Sequence, residues 1–267
     1  MAVLTLSWEH QNGCFEIGKA VAEQLNYEFV DRHSITAILK KTGEKWGNLS
    51  LELDHEQPTL WEQFDREYLA FIALIESAIF DAALKNQTVI LGRGSAFVLN
   101  DIPQALKVRL YTPLKVRIER RMNQTQENYS AAESFIEKAD KARMGYIQAL
   151  YSKKLTAVSN YDVIYNTAIQ TYDQVIRNLV EILKDWDRLE TPESRSRLEK
   201  KAATARVKAR ILSHPEIFIP TLKVFYDERA IVIQGVVHKP EQYKLILEII
   251  HETVDPHPIR NELHYRQ

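Results

Sequence analysis

Apolar and polar positions change period repeatedly along this chain. Ala2 to Leu6 is a short apolar run, followed by a polar turn from Glu9 to Gly13. Phe15, Ile17, Val21, Ala22 and Leu25 then recur at helical spacing, and Tyr27 to Val30 is β-prone before Asp31-Arg32. Strand, turn, helix and strand predict a βαβ unit with a right-handed crossover. From Thr59 to Asn86 the residues Trp61, Phe64, Tyr68, Phe71, Ile72, Ile75, Ile79 and Ala82 fall at threes and fours, which predicts one long amphipathic helix. Thr88 to Leu91 predicts a strand running into Gly92-Arg93-Gly94, and Ala105 to Tyr111 another, closed by Pro113 at a helix start. Helices are expected at Pro113 to Asn123 and Ser130 to Lys153, a strand at Tyr161 to Tyr165 and a helix at Thr171 to Trp186. This alternation predicts an α/β fold, an open parallel sheet wrapped by helices on both faces.

The pattern breaks at Asp187. From there to Arg210 the chain is polar, with eight basic and four acidic side chains, and reads as a linker passing into a helix. Two alternating runs follow, Ile217 to Tyr226 and Ala230 to Val237, separated by Asp227-Glu228-Arg229, a hairpin signal. A helix at Glu241 to Glu252 and a strand at Ile259 to Tyr265 complete a small αββαβ module. The expected division is a domain at 1–187, a linker at 188–200 and a second domain at 201–267.

Composition narrows the classes. The 267 residues are 45% hydrophobic and 27% charged, which excludes disorder, collagen-like repeats and a disulfide scaffold. Thirty-five basic and 36 acidic side chains give a net charge of -1, so no global field draws the chain to nucleic acid or an anionic membrane, and any basic site is local. One cysteine, Cys14, excludes an internal disulfide and fits a reducing compartment. The first residues lack the charged region of a signal peptide, and no apolar stretch reaches the ~18 residues of a membrane span. A soluble cytoplasmic protein is expected. Eight glycines, against the roughly 19 of ordinary usage, mean that any glycine-rich loop is built from few.

A turn between a first strand and first helix is where parallel α/β proteins hold phosphate, because backbone N–H groups and the helix N-terminus converge there. The candidate is SWEHQNGCFEIGK. It departs from the pattern GxxxxGK[ST]: Gly13 is the only glycine in the turn, and no Lys followed by Ser or Thr opens the helix. That lysine neutralises phosphate charge and the hydroxyl holds magnesium, so losing both weakens ATP binding and transition-state stabilisation.

SWEHQNGCFEIGKAVAEQLNYEFVDR, VILGRGSAFVL, VRLYTPLKVRIERRM, DKARMGY and SNYDVIYNT, in this order and spacing, resemble the cytidylate-kinase-like branch of the nucleoside monophosphate kinases. The resemblance covers nearly all of 1–185 and implies a P-loop kinase-like parallel sheet. In that family the first turn reads like YGSGGREIG, with an arginine doing the lysine's work. Here Gln11, Asn12, Cys14 and Phe15 stand at its glycine, serine, glycine and arginine positions, while Gly13, Glu16, Ile17 and Gly18 match. Nucleotide contacts are therefore expected at Asn12, Gly13, Cys14, Phe15 and Lys19. The resemblance also implies an acceptor site at Asp31, Arg32, Gly92, Arg93 and Gly94, with lid and catalytic groups at Arg117, Arg120, Arg121, Asp140 and Arg143; Tyr146 matches the same lid element. Arg117, Arg120 and Arg121 fall at i, i+3 and i+4, the spacing of a forked cationic patch aimed at phosphates.

Plainer readings stand beside these. Arg117 to Arg121 with Glu119 is also the pattern of a solvated helix face; Cys14 reads as a small packing residue, and Lys19 as a surface lysine. His214, His238, His251, His257 and His264 crowd the C-terminal module without HxxxH or HExxH spacing, so no metal site is expected. No GxSxG turn appears, and the cysteine has no evident base partner. The stretch VFYDERAIVIQGVVHKPEQYKLILEII with IRNELHY resembles a BON domain, which implies a small α+β binding module for a protein or ligand, or a packing and dimerisation appendage giving a homodimer. Two functions remain open: a nucleotide-binding pseudokinase that senses a small nucleotide, or an active kinase of CMP or a related nucleotide using ATP and Mg2+. Neither implies nucleic-acid binding.

Overall fold

The first unit builds its sheet from short apolar strands. The computed structural model describes residues 2–52, 65–227, 229–254 and 258–266. By contact the chain forms two units, 1–58 with 85–194, and 59–84 with 195–267. In the first, Val3–Ser7 (β1), Glu28–Val30 (β2), Thr88–Leu91 (β3), Ala105–Tyr111 (β4) and Val163–Asn166 (β5) form one sheet in the order β2-β3-β1-β4-β5. Every pairing is parallel, with Val3 beside both Thr88 and Ala105. Strands covered on both faces need apolar side chains throughout, and Leu4, Leu6, Val89, Ile90, Leu106 and Val108 are all fully buried.

Cys14–Leu25 (α1) follows β1 directly, and its Ile17, Gly18, Val21 and Ala22 face the sheet. A Cβ on Gly18 would lie 2.8 Å from Leu6 and 3.1 Å from Phe29, so only glycine allows this approach. Arg32–Thr42 (α2), Glu44–Glu52 (α3), Ser95–Val98 (α5), Leu114–Thr125 (α6), Tyr129–Tyr151 (α7) and Tyr172–Trp186 (α8) complete the unit, α4 belonging to the second one. β1 and its neighbour β3 send their outgoing connections to opposite sides, β1 toward β2 and β3 toward β4, the position where open α/β sheets take ligands beyond their C-terminal ends.

In the second unit, Arg66–Leu84 (α4) and Pro192–Ser213 (α9) are tied by Arg206 to Asp81 at 2.6 Å and Lys208 to Glu76 at 3.2 Å. Lys223–Tyr226 (β6), Ile231–Val237 (β7) and Ile259–Tyr265 (β8) form a sheet in chain order, antiparallel then parallel, with Pro240–Val254 (α10) between the last two. Val207, Ile211, Ile231, Ile233, Ile246 and Ile250 make its core. No helix among the described residues is long and apolar enough to cross a membrane.

Several expectations are corrected. The second strand ends at Val30 before Asp31-Arg32 as expected, and Asp31 then caps an unexpected helix, α2, accepting from the Ser34 N–H and hydroxyl at 2.9 Å each. In the segment expected as a linker passing into a helix, the helix begins at Pro192, where Thr191 and Ser194 cap each other's backbone N–H groups. The first hairpin arm is confined to Lys223–Tyr226, because Pro220 lacks a ladder donor; Ile217 and Ile219 are buried outside any strand. The last strand of the first unit starts at Val163 rather than Tyr161. The long helix is described from Arg66, and its expected start at 59–64, with Trp61 and Phe64, lies outside the described residues, as do Glu228 and His257. α2 and α3 were not expected.

Thr171 and Gln174 form a full capping box at the start of α8. Thr171→Ala is expected to lower stability by about 1 kcal/mol, measured by urea denaturation, with the α/β circular dichroism signal retained.

Candidate functional site

The turn from β1 to α1 is closed by its own residues. Asn12, 1% exposed, turns its side chain inward; its Nδ2 donates to the Leu110 carbonyl at 2.8 Å, and its Oδ1 accepts the Cys14 N–H at 3.1 Å. The Thr167 hydroxyl donates to the Asn12 carbonyl at 3.0 Å, and Arg120 donates to the Gln11 carbonyl at 3.0 Å and to the Thr167 carbonyl at 2.6 Å. Gly13 is left-handed at φ 78°, and a Cβ there would come within 2.0 Å of the Tyr172 ring, which lies directly against the glycine. Arg120 in turn sits 5.6 Å from the centre of that ring. A helix start of this kind binds anions when its N–H groups are offered outward; here a carboxamide already takes the one at Cys14.

Beside the turn, a cavity of about 330 Å³ opens over the C-terminal ends of β1 and β3, in the size range of small-molecule sites. Trp8, His10, Phe97 and Phe135 give it aromatic walls, and Arg32, Arg93, Lys138 and Arg143 line it with positive charge. Gly92, Arg93 and Gly94 are three consecutive left-handed residues at φ 73°, 55° and 74°, a sharp turn that brings backbone to the cavity wall. Arg93 donates to the Ser50 carbonyl at 3.1 Å and hydroxyl at 2.9 Å, fastening α3 to this turn. Arg143 donates to the Trp8 carbonyl at 2.6 Å and lies over the Trp8 ring at 3.5 Å.

Ion pairs of alternating sign run next to the cavity. Arg109 bonds Glu9 at 2.6 Å and the Leu155 carbonyl at 3.0 Å. Glu9 approaches Arg117 at 3.8 Å, and Arg117 forks onto Asp140 at 3.1 and 2.7 Å. Burial makes these bonds strong and their partners hard to remove.

A family model described as the cytidylate kinase-like family matches residues 3–169, the whole of the turn, the cavity and the ion-pair chain. The chain belongs to the cytidylate kinase-like family. The cytidylate kinase of Pyrococcus horikoshii is 27% identical over 169 residues, covering 62% of this chain and 80% of that protein. A uronate isomerase of Corynebacterium glutamicum is 33% identical over 99 residues, covering 37% of this chain; the match spans only 19% of that protein. The crystal structure of an uncharacterized protein from Eubacterium ventriosum matches at a TM-score of 0.55 and 16% identity, over 69% of this chain and 98% of that one, a likeness of fold.

Within this cytidylate kinase-like unit the expected site residues separate into groups. Arg32, Gly92, Arg93, Gly94 and Arg143 meet at the cavity. Asn12, Gly13 and Cys14 form the closed turn. Arg117, Arg120 and Arg121 do not make one fork: Arg117 is buried on Asp140, Arg120 bridges Gln11 and Thr167, and Arg121 chelates Glu127 with two bonds of 2.8 Å. Glu119 is in none of these contacts. Phe15 is 48% exposed, its ring edge-on to Phe29 at 5.5 Å, and Lys19 is an exposed partner of Glu23 at 3.9 Å. Burial pushes the Cys14 thiol well above its ordinary value, so it stays protonated as a packing group of the core. At the head of α1, Cys14 and Phe15 offer no hydroxyl of the kind that would hold magnesium beside a phosphate.

Sequence reasoning did not single out Trp8, His10, Arg109, Phe135 or Lys138. Trp8 and His10 stand inside the quoted SWEHQNG turn, yet only the fold brings Phe135 and Lys138 to them. Arg117→Ala strands Asp140 in a buried setting and is expected to cost about 3 to 5 kcal/mol in urea denaturation; Lys19→Ala, at an exposed pair, is expected to cost less than about 1.

Proposed function

We propose that this cytidylate kinase-like protein binds a small nucleotide in the cavity of its first unit and transfers phosphate poorly or not at all. One observation carries this reading: in the phosphate turn Asn12 takes the Cys14 N–H, Thr167 and Arg120 hold the Asn12 and Gln11 carbonyls, and the Tyr172 ring covers Gly13. Phosphoryl transfer depends on positioned charge at the transferred group, and this turn offers neither a lysine or arginine nor a magnesium hydroxyl. The cavity, by contrast, keeps cations for a phosphate and aromatic walls for a base. The protein is then a nucleotide sensor. The second unit, with its αββαβ order and its resemblance to a BON domain, relays the bound state to a protein or ligand partner or to a second copy, in a cytoplasmic setting.

An active cytidylate-type kinase is the second reading, favoured by the retained cationic cavity and the extent of the match to the Pyrococcus horikoshii enzyme. It requires ATP and Mg2+, and an opening of the turn that frees the Cys14 N–H from Asn12.

Calorimetry separates the two. CMP is expected to bind with or without Mg2+, ATP to bind far more weakly, and a coupled assay to give no turnover. Turnover in the ordinary range of about 1 to 100 per second contradicts the sensor reading. Arg93→Ala is expected to weaken CMP binding roughly 10- to 100-fold, the worth of a charge-assisted hydrogen bond.

A further inference from the structure

His10 is the one histidine lining the cavity among the described residues, and its surroundings are unusual. Its ring stands edge-on to two aromatic rings, Trp8 at 4.9 Å and 68° and Phe135 at 5.4 Å and 79°. Each of those rings carries a guanidinium on a face: Arg143 lies 3.5 Å from the Trp8 centroid and Arg121 3.5 Å from the Phe135 centroid. The imidazole is thus the middle member of an aromatic row held at both ends by cations.

The charges facing it come from every element around it. Arg117 and Arg121 lie on α6, and Asp140 and Arg143 on α7. Lys138 of α7, Arg32 of α2 and Arg93 of the turn after β3 share the cavity wall. Asp140 alone favours a proton on His10, and its carboxylate is already forked by Arg117. Burial and the Arg143, Arg121 and Arg117 charges together bring the imidazole down to about 4, so it is neutral in the free protein near pH 7. A phosphate monoester, whose second ionisation falls near pH 6, brings between one and two negative charges to the same wall. At a few ångströms that charge opposes the arginines and favours the protonated imidazole.

We infer that His10 makes ligand binding in this cavity proton-linked: entry of a phosphate-bearing ligand is accompanied by uptake of one proton from solvent onto the imidazole. The inference rests on the nucleotide reading of the cavity and adds to it a residue and a direction. Because the bound state holds the proton more tightly than the free state, the gain in affinity is present below the bound-state pKa and disappears as pH rises through it.

The test is the His10 ring signal in NMR spectra of the full chain at about pH 6, assigned by its disappearance in His10→Asn. The ring is expected to be neutral alone, protonated with saturating CMP and neutral with saturating cytidine, which lacks the phosphate. Calorimetry at that pH in buffers of different ionisation heat should show wild type taking up more protons on CMP binding than His10→Asn. CMP affinity of the two should converge toward pH 8. A ring that stays neutral while CMP saturates the protein overturns the inference and leaves the nucleotide reading standing. Protonation by cytidine as well overturns the role given to phosphate. If CMP does not bind at any pH, the nucleotide reading falls and the inference falls with it.

Discussion

Everything at the head of α1 depends on how the chain satisfies its polar backbone where β1 ends. A turn at that place leaves N–H groups pointing off the helix, and they must find partners in a ligand, in water or in the protein. Asn12 provides one of them from within, for the Cys14 N–H. Its carboxamide spans from the Leu110 carbonyl of β4 to the Cys14 N–H of α1, which pins the turn to the sheet. Thr167 after β5, Arg120 from α6 and Tyr172 from α8 then close the outer side. Four separate elements converge on three residues, so the turn serves as a joint of the fold.

The cavity next door is built differently. Long-range contacts orient its cations: Arg93 reaches the Ser50 carbonyl and hydroxyl, and Arg143 the Trp8 carbonyl and ring. In a partly enclosed site such charges act over a short range with little screening. Beside the cavity, the chain Arg109, Glu9, Arg117 and Asp140 sets each carboxylate against an arginine. The result is a positive, aromatic cavity beside a sealed turn, and the neutral His10 sits between them.

The sheet of the first unit was legible because its strands are continuous apolar runs bounded by turns; β3 and β4 fall at their expected limits, as does β8 in the sheet of the second unit. α2 and α3 were not, because their packing uses few large apolar side chains and a buried polar contact, Thr36 to Ser50 at 2.7 Å, which leaves no strong period. Pro220 overrode the alternation of the first hairpin arm, and a Thr191–Ser194 cap fixes where the expected linker passes into helix. Residue types could be read from the motif, so Arg32, Arg93 and Arg143, which line the cavity, were named from the sequence. Their partners could not: whether Arg117 faces a phosphate or Asp140 is decided by where α6 and α7 cross, which no spacing along one helix encodes. Likewise Asn12 is written plainly in the turn, but its role as the group that fills it is a property of the distance to Leu110.

The central claim is that ligands meet this protein at the cavity and not at the turn, and amide and indole chemical shifts report on the two places in one experiment. In a two-dimensional 15N spectrum, CMP is expected to move the signals of Gly92, Arg93, Gly94 and the Trp8 indole, while ATP with Mg2+ at the same concentration leaves Gly13, Cys14 and Phe15 in place. Large, saturable shifts of Gly13, Cys14 and Phe15 with ATP would contradict the account and restore the turn as a working phosphate site.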